Sequence, residues 1–181
     1  MRLGYLAVLC ALVAHGSLAD LAAPSGRVLI TVSGSIISTN RGALEAGTPS
    51  LIGFLDTGFE AAAEFDQEMQ DAMPQSEVTS LAPTGQTQVT YAGPRLMDVV
   101  TRLGAVPQSV SVMAADGYLA EISVEEMTIH TPILATRMDG RLMGLGIHGP
   151  EMVVFPPTWD ADIYEGLRSK QVWAVIHISV D

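Results

Sequence analysis

Between Tyr91 and Pro156 four short signatures follow one another closely, and they limit what this chain can fold into more than any other stretch. They are Tyr91-Ala92-Gly93-Pro94-Arg95-Leu96-Met97-Asp98-Val99-Val100, then Ala115-Asp116-Gly117-Tyr118, then Ile133-Leu134-Ala135-Thr136-Arg137-Met138-Asp139-Gly140, and last His148-Gly149-Pro150 running into Val153-Val154-Phe155-Pro156. The alternation over Gln86 to Tyr91 predicts a strand, and Gly93-Pro94 then opens a helix, because proline suits the first helical position. Leu96, Val99, Val100 and Leu103 recur at i, i+3, i+4 and i+7, so that helix face is core, and Gly104 is the stop signal. Asp116-Gly117 supplies the positive φ of a tight turn, which predicts a hairpin of Ser109 to Ala114 with Tyr118 to Ile122. Ser123 and Glu126 have the spacing of a capping box before a short helix. Ile133 to Met138 reads as a further strand, with Asp139-Gly140 as the turn after it.

Outside that stretch the signals also mix short strands and short helices, with no internal repeat and no regular βαβ alternation. Val28 to Ile37 is a β-branched run interrupted by Gly34, a first strand with a bulge. The glycine-rich segment Asn40 to Gly58 reads as a loop-rich connection. Ala61, Phe65, Met69 and Ala72 fall at helical spacing among Glu60, Glu64, Asp66, Glu68 and Asp71, which predicts an amphipathic helix ending before Pro74. Val172 to Val180 is apolar on both faces, as a central strand must be.

The first residues belong to no globular fold. Arg2, the apolar run Leu3 to Val13 and the small-residue pattern Ser17-Leu18-Ala19 give the three regions of a signal peptide over residues 1–19, with export to a periplasm or the exterior. The run is too short for a bilayer, which takes roughly 20 apolar residues, so no membrane insertion is expected after cleavage. Residues 20–181 are then a single domain of a size that supports one proper core. That domain carries 8 basic and 20 acidic residues. Such a field repels phosphate backbones and anionic lipid, which argues against a nucleic-acid partner. The chain's one cysteine, Cys10, falls in the leader, so the domain needs neither disulfides nor a reducing compartment.

As an ordered set, the four signatures resemble the molybdopterin-binding domain of the sulfite oxidase family. Phe65-Asp66 and Met73-Pro74 ahead of them, and Lys170-Gln171-Val172-Trp173 after them, resemble further positions of that family. The resemblance implies an α+β fold of mixed β-sheets with short helices, wrapped around a surface cleft for molybdopterin. It also implies a metal held by one cysteine thiolate, a soft ligand. The matching segment here is Val78-Thr79-Ser80-Leu81-Ala82-Pro83-Thr84-Gly85, which has no thiol. Where the family places an arginine after the glycine-proline pair, this chain has Glu151-Met152. We therefore expect no cofactor and an exported, non-catalytic member that binds a small ligand or a periplasmic or membrane receptor protein. The alternative is an oxidoreductase that holds a molybdopterin-type cofactor without cysteine ligation.

Other chemistry is sparse. His130, His148 and His177 share no metal-ligand spacing, and Asp160-Ala161-Asp162 lacks the further acidic and glycine positions of a calcium loop. No serine lies in a nucleophile elbow. The aromatic loop Pro156 to Tyr164 falls where the family's loop borders the cleft, and loops on a rigid scaffold often carry function. From position relative to the family's cleft, the expected site residues are Thr79, Thr84, Asp116, Tyr118, His148, Trp159, Tyr164 and Lys170.

Overall fold

The computed structural model describes residues 21–83 and 87–181; the leader expectation and the candidate residue Thr84 lie outside these. The strands are β1 (Ile30–Gly34), β2 (Arg41–Gly42), β3 (Ala61–Phe65), β4 (Gln75–Leu81), β5 (Gln88–Pro94), β6 (Ser109–Ala114), β7 (Leu119–Ser123), β8 (Ile133–Ala135), β9 (Arg137–Met138), β10 (Arg141–Leu142), β11 (Met152–Val154) and β12 (Val175–Val180). The helices between them are α1 (Leu51–Phe54), α2 (Gln67–Asp71), α3 (Leu96–Thr101), α4 (Val124–Ile129) and α5 (Ala161–Arg168). This is a mixed α+β fold with short helices.

Among the described residues the largest sheet has the order β2-β3-β1-β12-β6-β7. β12 lies at its centre, parallel to β1 and antiparallel to β6, which explains why its sequence is apolar on both faces. One face of this sheet packs against Leu96, Val99, Val100 and Leu103 of the α3 region, and these four are fully buried, as their periodicity requires. A second sheet, β10-β9-β5-β4, and the two-stranded ladder β11-β8 enclose a smaller core of Val78, Val89, Tyr91, Ile133, Met152 and Val154. The sheets meet closely at Gly93: a Cβ there would lie 2.1 Å from the carbonyl oxygen of Leu134. Only a glycine lets β5 cross β8 at that distance.

Several local expectations give way to tertiary structure. Ala61 to Phe65 is a strand, and the helix is confined to Gln67–Asp71. The helical spacing of its alanines lost to pairing with β1, which buries Ala62, Ala63 and Phe65. The helix starts only where Asp66 caps it by accepting from the Met69 N–H at 2.9 Å. β5 continues through Pro94, because its backbone still pairs with β4 there, and α3 begins at Leu96. The segment 133–138 divides at Thr136 into β8 and β9, which serve different sheets. Gly34 ends β1 rather than bulging it. The connection over residues 40–58 contains β2 and α1, the latter capped by Ser50 accepting from the Gly53 N–H. The capping box at Ser123 and Glu126 is present in full.

Candidate functional site

A cleft of about 330 Å3 opens between the end of β4, the β6–β7 turn, the last turn of α5 and the segment entering β12. Its lining includes Leu81, Pro83, Asp116, Tyr118, Met152, Glu165, Arg168, Ser169, Gln171, Val172 and Trp173. Each wall is fixed by local chemistry. In the β6–β7 turn, Gly117 at φ +86° donates to the Ala114 carbonyl, and the Asp116 carboxylate accepts from the Tyr118 N–H at 2.9 Å. Those bonds set both Asp116 and Tyr118 on the rim.

Helix α5 is capped by Asp160, which accepts from the N–H groups of Asp162 and Ile163. It is tied down on both sides of the cleft. The Tyr164 hydroxyl lies 2.6 Å from Ser80 Oγ on β4, and the Tyr118 hydroxyl donates to the Ser169 carbonyl at 2.7 Å. Beyond them Lys170 Nζ donates to Glu126 at 2.6 Å, which couples the helix end to the capping box of α4. Burial pushes the Glu126 carboxyl upward, but bonds from Lys170 and Ser123 outweigh it and hold the group below its ordinary value.

The floor turns on two residues in the left-handed region, His148 at φ +59° and Ala174 at φ +48°. They touch: the Ala174 N–H donates to the His148 carbonyl at 2.8 Å. The Trp173 ring stacks on the His148 ring at 4.8 Å, and Trp173 also bridges to Met152. A non-glycine φ in this region costs of order 1 kcal/mol or more per residue, and both residues adjoin Trp173, which lines the cleft. Gln171, also in the lining, has a buried Nε2 with no protein partner.

The expected site residues distribute unevenly. Asp116 and Tyr118 line the cleft; His148 supports it through Trp173; Tyr164 and Lys170 anchor its walls without lining it. Thr79 is exposed on β4, its hydroxyl 3.2 Å from that of Thr90, and does not line the cleft. Nor does Trp159, which is 95% exposed just before the α5 cap, because the capping turn directs it to solvent rather than over the cleft. Position relative to a family motif missed Glu165, Arg168, Gln171 and Trp173. Glu165 and Arg168 are an i, i+3 pair in the last turn of α5, a helix that the loop reading of Pro156 to Tyr164 did not anticipate.

A larger groove of about 800 Å3 runs past Leu51, Leu142, Leu145, Pro150 and Ile176, but the Asp66 carboxylate in its wall already accepts from Ser25, Gly26 and Met69. Ser33 Oγ and His177 Nε2 are 2.9 Å apart, a hydroxyl–imidazole pair, yet both side chains are buried and burial lowers the imidazole to about 4. Among the described residues no carboxylate bonds to this buried pair. Among the described residues no group of three histidine, cysteine or acidic side chains could hold a metal ion, and no helix is long and apolar enough to cross a membrane.

No family model and no curated protein matches the chain. Among solved structures it is similar to the sulfane dehydrogenase SoxCD from Paracoccus pantotrophus, with a TM-score of 0.54 at 14% identity. The match covers 84% of this chain and 38% of that one, so this chain spans well under half its length. At this identity the likeness speaks for the fold alone.

Proposed function

We propose that this chain is a binding domain rather than an enzyme, and that its ligand occupies the cleft between α5, the β6–β7 turn and residues 171–173. The observation that carries the reading is the composition of that cleft. Met152 and Val172 give an apolar floor, Tyr118 and Trp173 give aromatic walls, and Asp116, Glu165, Arg168 and Gln171 converge on it. A concave apolar site with a few convergent polar groups is the default form of a ligand site.

The same residues do not suit a molybdopterin. The chain's one thiol is Cys10, far from the cleft in sequence, and the sulfur in the lining is the neutral thioether of Met152. A phosphate-bearing cofactor needs clustered donors. The lining instead offers two carboxylates and one guanidinium, whose Nη1 lies 3.6 Å from Glu165. Glu151, where the resembled family has an arginine, is fully buried against Gln70. The reading continues with export on the leader pattern of residues 1–19 and with a small ligand or an extracytoplasmic receptor as partner.

Metal analysis of protein expressed with its leader in a molybdate-supplemented host tests the absence of a cofactor. We expect no molybdenum and no pterin fluorescence after acid release; one molybdenum per chain would return the oxidoreductase alternative. N-terminal sequencing of the exported product should begin near Asp20, and a retained Met1 would remove the export proposal.

A further inference from the structure

We propose that the cleft recognises a small organic cation, an amine or quaternary ammonium with an apolar body; this rests on the reading of the cleft as the binding site. The first argument is the local charge count. Both cations around the cleft already have carboxylate partners: Arg168 faces Glu165 at 3.6 Å, and Lys170 is bound to Glu126 at 2.6 Å. Asp116 forms none of the ion pairs found among the described residues. Its Oδ1 is held by the Tyr118 N–H, which fixes the carboxylate on the rim without neutralising it. The unmatched charge at the mouth is therefore negative. A formal net charge of −11 gives the surrounding field the same sign, which concentrates cations and repels anions.

The second argument is the pair of aromatic faces. Tyr118 is 49% exposed and Trp173 is 38% exposed, yet neither is loose: Tyr118 is tied through its hydroxyl to Ser169, and Trp173 is stacked on His148. Held aromatic rings that stay open to solvent beside a carboxylate are the elements of cation–π recognition. The remaining lining specifies the rest of the ligand. Val172 and Met152 favour an apolar body. An anionic ligand would have to approach Asp116, the lining carboxylate that has no cationic partner.

The test uses three probes with a common trimethyl head on the full chain: acetylcholine, its uncharged carbon isostere 3,3-dimethylbutyl acetate, and the shorter anion 3,3-dimethylbutanoate. Titration calorimetry at low salt supplies affinity, and the indole signal of Trp173, isolated in a Trp159→Phe background, reports location. We expect acetylcholine to bind about tenfold tighter than its isostere and to shift the Trp173 signal. Asp116→Asn keeps the side-chain bond to the turn but removes the charge, and should erase most of that preference. Trp173→Leu should weaken acetylcholine by about tenfold with the melting temperature checked separately. Tighter binding of the isostere or the anion, with the Trp173 signal still shifting, would overturn the cation inference and leave the cleft standing. Heat without a Trp173 shift, or no binding by any probe, would overturn the cleft reading and the inference together.

Discussion

Gln70 and Glu151 form a closed polar pair inside the protein: the Gln70 amide donates to one carboxyl oxygen, and both side chains are shut off from solvent. The atoms left over, Gln70 Oε1 and Glu151 Oε2, have no other partner. A proton on Oε2 lets Glu151 donate back to the amide and satisfies both orphans. Burial favours that proton and pushes the carboxyl up to about 8.

The folded state thus holds a proton that the unfolded chain releases near its ordinary value. Because the folded value is raised, the contribution is complete below about pH 4.5, declines as pH rises, and is gone above about 8. Within that window the slope approaches about 1.4 kcal/mol per pH unit. Urea titrations between pH 5 and 8 should show this decline, and Glu151→Gln should flatten it. An unchanged slope in the variant would mean that another group carries the effect.

Gly93→Ala should destabilise by about 2–3 kcal/mol, since its Cβ would press on the carbonyl of Leu134 and the Cα of Ala135, both backbone. Gly146 is the control, as nothing lies within 4 Å of a Cβ there, and Gly146→Ala should stay within about 0.5 kcal/mol. Equal chemical-denaturation midpoints for the two variants would contradict the close crossing of β5 and β8.

Ser80 and Tyr164 should couple. Removing one hydroxyl of the pair, in Tyr164→Phe or Ser80→Ala, should cost about 1 kcal/mol, and the double variant less than the sum. A strictly additive double-mutant cycle would show that α5 is not fastened to β4 through this contact.

Asp66 joins the segment at Ser25 and Gly26 to α2, accepting from four donors, and its bonds to the Met69, Gly26 and Ser25 N–H groups hold its carboxyl below the ordinary range. Its folded value is depressed, so its stabilisation is present above about pH 4 and is lost as pH falls through the folded value. Asp66→Ala should cost about 1–2 kcal/mol by loss of the cap. Hydrogen exchange should then quicken at both Gly26 and Met69; protection lost at Met69 alone would show that the N-terminal segment is held by other contacts.

Those elements whose information is local could be read from the sequence. The α3 stripe, the Asp116-Gly117 turn, the Ser123–Glu126 box and the apolar β12 each carry a signal within a few residues, and each stands where its signal puts it. The segment 61–65 misleads because alanine tolerates either period, so the neighbouring strand decides. Half of the cleft was similarly hidden. Asp116 and Tyr118 sit on a turn with its own grammar, whereas Trp173 is aimed by left-handed residues at 148 and 174 that sequence pattern does not announce. Gln171 joins the lining through the packing of the segment between α5 and β12, which no local pattern announces.

The position of β12 has a consequence for biosynthesis. A ribosome delivers β1, β3, β6 and β7 long before residues 175–180, yet the β1–β3 pair and the β6–β7 pair share no ladder until β12 slots between them. The emerging chain therefore holds two unfinished half-sheets, each with a bare inner edge, and must keep them from sticking elsewhere until the keystone strand arrives.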